Sequence, residues 1–282
     1  MCLCLRPARL SDTILYAAET IVAGKVAHVM GYQNRAENLA RGPNAMILPI
    51  PASVALGADN MIDMTSAKRV LSDYAHSLWP PEQSASLSFG SSRGLPAKVT
   101  VFDKGNYTVV LATDARAIPA ALDRVPSHKR PALNQAIFDA YAAWYPGWHV
   151  ALCCFDRSFE AVEPLLWWYE PIDPTHLFAP ALDGHDGNVP QPGAAVNVDH
   201  KVVFGSVTKP QGKDVIFTGY TKPAADRRGL QTELPEELRP LLATKVTGAS
   251  FARKKMPNGD FSLPVTALAA PDTVRRVLPP GA

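Results

Sequence analysis

Twenty-six prolines and 18 glycines are spread over all 282 residues instead of being gathered into one linker. Proline ends helices and is confined to sheet edges, and glycine marks turns, so this punctuation limits the chain to short elements. Between the breaks the text is mostly strand-like. The runs "TILYAAETIV" and "KVAHVMGYQN" flank a turn at Ala23-Gly24, and "NAMILPIPA" follows, which predicts a meander of antiparallel strands from Thr13 to Ala52. Further strands are expected in "KVTVFDKGNYTVVLAT", "WHVALCCF", "PLLWWYEP", "AVNVDHKVVFGSV", "DVIFTGY", "TKVTGASFARK" and "DFSLPVTAL", the last pair joined by a turn at Met256-Pro257-Asn258-Gly259.

Helices are fewer. Val70, Leu71, Tyr74 and Leu78 recur at helical spacing before Pro80-Pro81, with Thr65 or Ser66 as the expected cap. Leu133, Ile137, Phe138, Tyr141 and Trp144 make an apolar face for a helix from Pro131 to Tyr145, and shorter helices are expected at Asp114 to Arg124 and Pro235 to Leu242. Strands do not alternate regularly with helices. The expected fold is therefore α+β, with mainly antiparallel sheets and three to four helices, in a single domain over 1–282 with a possible subdivision near 84–97.

Twenty-eight basic residues against 26 acidic ones give a net charge of +2, so neither nucleic acid nor an anionic membrane is expected as a partner. No basic segment leads into an apolar core at the start, and no apolar run approaches the ~18 residues that span a bilayer. The expectation is a cytoplasmic protein whose four cysteines stay reduced, with no cofactor and no metal.

Two of those cysteines, Cys2 and Cys4, stand at the very start. Removal of Met1 leaves Cys2 with a free α-amine, which puts a nucleophile and a base in one residue. An α-amine of ordinary pKa, about 7.7 to 8.0, accepts a thiol proton. If a turn near Leu10-Ser11 folds "CLCLRPAR" onto "TILYAAE", Cys2 faces Glu19 and Cys4 faces Ala17. Asn34 and Asn38 in "GYQNRAEN" are candidate oxyanion donors.

This start resembles the N-terminal nucleophile hydrolases. The resemblance rests on Cys2 and the β-rich text behind it, and it implies a Cys-nucleophile amide-bond hydrolase or acyl transferase. Cys2, Glu19, Asn34 and Asn38 form the implied site, acting on a small-molecule or peptide amide. The alternative is a noncatalytic interaction or assembly protein, possibly of viral or mobile-element origin, that presents exposed Trp and Pro edges to a partner or forms a homo-oligomer.

Other clusters are weaker. Cys153 and Cys154 should point to opposite faces of one strand, and the Asp183, His185, Asp186 and Asn188 loop holds groups suited to a hard cation or a solvated turn. Glycine-rich phosphate loops, His-Glu-x-x-His and Gly-x-Ser-x-Gly do not occur.

Overall fold

The computed structural model describes residues 3–80, 99–156, 163–218, 234–251 and 254–282. The expected subdivision near 84–97 lies outside them. The chain runs β1 (Leu3–Cys4), β2 (Ala8–Val22), β3 (Lys25–Asn38), β4 (Asn44–Ile50), α1 (Val70–Leu78), β5 (Val99–Lys104) and β6 (Tyr107–Ala112). It continues with α2 (Gln135–Trp144), β7 (His149–Phe155), β8 (Leu165–Tyr169), β9 (His176–Ala179), β10 (Ala195–Val198) and β11 (His200–Ser206). The last strands are β12 (Lys213–Asp214), β13 (Lys245–Ser250), β14 (Lys254–Pro257), β15 (Asp260–Pro264) and β16 (Arg275–Val277).

Two large sheets set the architecture. One is ordered β1-β4-β7-β6-β5 and the other β12-β13-β11-β2-β3-β8, and smaller sheets β16-β15-β9 and β10-β14 complete it. The pairings are antiparallel except β11 with β2, which is parallel. Met46, Val109 and Cys153 of the first sheet share a core with Leu15, Met30 and Phe204 of the second, so the two sheets face each other. Helix α2 covers the outer face of the first sheet through Ile137, Phe138 and Tyr141. Helix α1 covers the outer face of the second through Val70, Leu71 and Tyr74, with Tyr74 stacked on Tyr16 at 4.7 Å. Strands buried on both faces have no reason to alternate, which accounts for the continuous apolar text of β4 and β7.

The longest element is the β2–β3 hairpin. Its turn is Ala23-Gly24 with φ of 50° and 78°, the left-handed pair that matches strand twist in a two-residue loop. A bulge between Ser11 and Ile14 interrupts the ladder, with Asp12 at φ 52°.

Several expectations change. The predicted meander breaks after β3, because β4 joins the other sheet between β1 and β7. The Met256 to Gly259 turn does not join a hairpin: β14 pairs with β10, and β15 with β9 and β16. Helix α1 begins at Val70 without a side-chain cap, because the Thr65 hydroxyl donates to Asp63 at 2.7 Å instead. Helix α2 begins four residues after Pro131 and leaves Leu133 exposed. The helices expected at Asp114 to Arg124 and Pro235 to Leu242 are short 3-10 segments, Ala115–Ala117, Pro119–Arg124 and Glu236–Leu238. Among the described residues, no helix is long and apolar enough to cross a membrane.

Candidate functional site

Cys2 lies outside the described residues, but the strand that follows it is placed. Leu3 and Cys4 pair with Ile47 and Met46 of β4, and Cys4 N–H donates to Gly184 O at 2.8 Å. The register that set Cys4 against Ala17 is therefore not formed. The reason is local: Asn44 clamps the chain at Arg6, accepting from its N–H at 3.0 Å and donating to its carbonyl at 3.1 Å. Pro7 then carries the backbone from one sheet to the other, and Leu10-Ser11 continue β2 instead of turning.

Glu19 sits in the second sheet, opposite His28, and is nearly buried. Its Oε1 accepts from the hydroxyls of Thr208 at 2.6 Å and Ser206 at 3.2 Å. Burial pushes the His28 imidazole down to about 4, against the opposing pull of the Glu19 charge. Asn34 is six residues from His28 along β3, roughly 20 Å at strand rise, and Asn38 is four further on. Glu19 and the two amides therefore do not converge. Asn34 does reach the β1–β4 ladder: its Nδ2 donates to Tyr32 Oη at 2.7 Å and approaches Sδ of Met46, the partner of Cys4, at 3.8 Å. The Asn38 amide is occupied by its own loop, donating to Gly42 O and Asp156 O and accepting from Ala40 N–H.

The remaining cysteines divide as the alternation requires. Cys153 faces the central core and Cys154 the α2 side, where burial pushes its thiol up to about 12. His149 belongs to the backbone of another loop, its Nε2 accepting from Leu56 N–H at 3.3 Å, and burial lowers its pKa. The tryptophans expected at an exposed edge are packed: Trp167 is fully buried, and Trp168 is half-buried with its Nε1 donating to Asp59 O.

The Asp183 loop belongs to a polar latch whose other half comes from the C-terminal strands. Asp183 N–H donates to Asn258 Oδ1 at 2.7 Å, and Asn258 Nδ2 returns a bond to Asp183 O at 2.8 Å. Fully buried Asp260 accepts from Ala181 and Leu182 N–H and from Tyr145 Oη at 2.7 Å. Burial raises the Asp260 carboxyl while those donors oppose the rise, and burial with the Asp260 charge raises the Tyr145 phenol. Arg276 lies over the Phe261 ring at 4.5 Å, its guanidinium brought down to about 10 by burial. His185 Nε2 lies 2.8 Å from Asp183 Oδ1, and Asp186 accepts from Asn188 N–H and Nδ2. Among the described residues no three His, Cys, Asp or Glu side chains are grouped to hold a metal.

The free end of the β2–β3 hairpin is the opposite case. Ile21 and Val26 are cross-strand partners, 42% and 40% exposed, although strand alternation puts them on the face that carries Ala17 and Met30 into the core. Backbone bonds from Ser53 to Glu170 and from Ile172 to Pro51 join the segments after β4 and β8, where Val54 and Ile172 are also exposed. Lys25 pairs with Glu170 at 2.9 Å on the opposite face of the sheet, since Lys25 adjoins Val26 and Glu170 follows Tyr169 along their strands.

No family model matches the chain, and neither does any curated protein. Among solved structures, the chain is similar to baculovirus P35, with 13% identity and a TM-score of 0.48 over 93% of this chain and 99% of that one. It is also similar to a mutated baculovirus P35 after caspase cleavage, with 13% identity and a TM-score of 0.41 over 92% of each chain.

Proposed function

We propose that this chain is a noncatalytic interaction protein that works by binding another protein through the free end of the β2–β3 hairpin. The observation that carries this reading is the exposed apolar pair Ile21 and Val26 at the free end of the hairpin, on a strand face that is buried elsewhere. Exposed apolar side chains grouped on one face mark a surface available to a partner. The separation of Glu19 from Asn34 and Asn38 supports the same reading over a hydrolase built on those residues. In the same reading the class is α+β, with α1 and α2 as covers for the two sheets.

A second copy is the first partner to test, because two-fold dimers are the commonest oligomers and set one patch against itself. A caspase, the protease that cleaved one of the two P35 chains, is the second. Light scattering over a concentration series and calorimetry against a caspase read these out, with Ile21→Lys/Val26→Lys as the control that loses the association. Amide hydrolysis by the wild type that vanishes in Cys2→Ala, with the fold intact, overturns the proposal in favour of the N-terminal nucleophile.

A further inference from the structure

Three neighbouring strands of the second sheet place buried polar side chains in one row. His200 on β11 is the register partner of Thr13 on β2, and the bulged pair Asp12 and Thr13 stands opposite the single Asn34 of β3. All three side chains face the gap between the large sheets. Val202 and Phe204, Leu15 and Ala17, and Tyr32 and Ala36 continue the same alternation into the central core. His200 meets Phe261 edge-on at 5.7 Å, and Asn34 reaches Tyr32 Oη and Met46 Sδ.

Beyond the bonds of Asn34 Nδ2, the polar atoms of the row lack partners among the described residues. His200, Thr13 and Asn34 are 0%, 1% and 3% exposed, yet Thr13 Oγ1, Asn34 Oδ1 and both His200 ring nitrogens have no hydrogen-bond partner among the described residues. Isolated buried polar atoms are destabilising, and native interiors satisfy them with protein or ordered water. The occupant must be neutral, because the row offers a hydroxyl, an amide and an imidazole but no carboxylate to balance a buried cation. It must also donate to Asn34 Oδ1 and to one imidazole nitrogen while accepting from the other, and water does all of this.

We propose that the polar row beside the Asp12–Thr13 bulge holds buried water, with at least one molecule bridging Thr13, Asn34 and His200. It ties β11, β2 and β3 together where the bulge interrupts their ladder. The site is independent of the partner surface, which lies at the other end of the hairpin.

A crystal structure at about 2 Å or better should show density within hydrogen-bond distance, ~2.7–3.2 Å, of at least two of these side chains. An empty gap, an anomalous metal signal or density larger than water overturns the proposal. Thr13→Val keeps the side-chain shape and gives the sign. A bound water loses a partner, so Tm of Thr13→Val falls by roughly 2–6 °C. An unchanged or raised Tm in Thr13→Val means an orphan hydroxyl was removed from a dry site, and the proposal fails. If Thr13→Val does not fold, the wild-type density decides alone.

Discussion

The latch around Asp260 and the free end of the β2–β3 hairpin invert each other. The latch buries a carboxylate and most of a guanidinium, and the hairpin end exposes branched aliphatic side chains. Buried charge is tolerated at the latch because every neighbour answers it: two backbone N–H groups, a phenol and Arg276 surround Asp260. At the hairpin end Ile21 and Val26 stay exposed among the described residues. The difference separates polar groups that hold the fold from exposed apolar groups, and under the proposed function the second region is the surface offered to another molecule.

The largest expected effect is at the latch. Asp260→Ala removes the largest opposing charge felt by buried Arg276 and orphans two N–H groups, so urea unfolding should show a loss of about 3–5 kcal/mol. A loss under ~1 kcal/mol breaks the contrast between the two regions.

His28 marks the last buried row below the exposed one, two residues from Val26. Its folded pKa of about 4 lies below the ordinary 6.5, so the folded state favours the neutral ring and the unfolded chain takes up the proton first. Stability should be constant with respect to this group above pH 6.5 and fall between 6.5 and 4, by roughly 3 kcal/mol in all. His28→Phe should flatten that part of the profile. An unchanged slope places His28 in water, with the exposed end reaching one row deeper.

Tyr145→Phe removes one donor from Asp260 and should cost about 1–2 kcal/mol, less than loss of the carboxylate itself. The turn at the hairpin end gives the smallest change in stability. Ala23 holds φ of 50°, which Asn adopts more readily, so Ala23→Asn should raise stability by about 0.5 kcal/mol in thermal unfolding. A loss instead means the turn relaxes in solution and the end is less fixed than the geometry indicates.

Local features were legible in the sequence, and pairings distant along the chain were not. The Ala23-Gly24 turn and the flanking strands follow from turn chemistry and β-branched text, and the α1 face follows from its periodicity. Nothing near "CLCL" marks its pairing with β4, because Asn44, which clamps Arg6, is 38 residues away. The parallel contact of β11 with β2 is equally silent. Asn34 stood out in the sequence, but its surroundings depend on His200 and the bulge. Asp260 and Arg276 carried no signal beyond an Asn-Gly step, since a buried charge looks like a solvated one until its neighbours are placed. Ile21 and Val26 read as ordinary strand residues, and only the length of the hairpin beyond the core reveals their exposure.

The most direct measurement is light scattering of the wild type and of Ile21→Lys/Val26→Lys over a concentration series, with and without a caspase. The wild type should depart from the 30.4 kDa monomer mass through one of these associations, and the double variant should stay monomeric with the same unfolding midpoint. A wild type that remains monomeric and unbound throughout, or a double variant that associates equally well, contradicts the assignment of binding to the hairpin end.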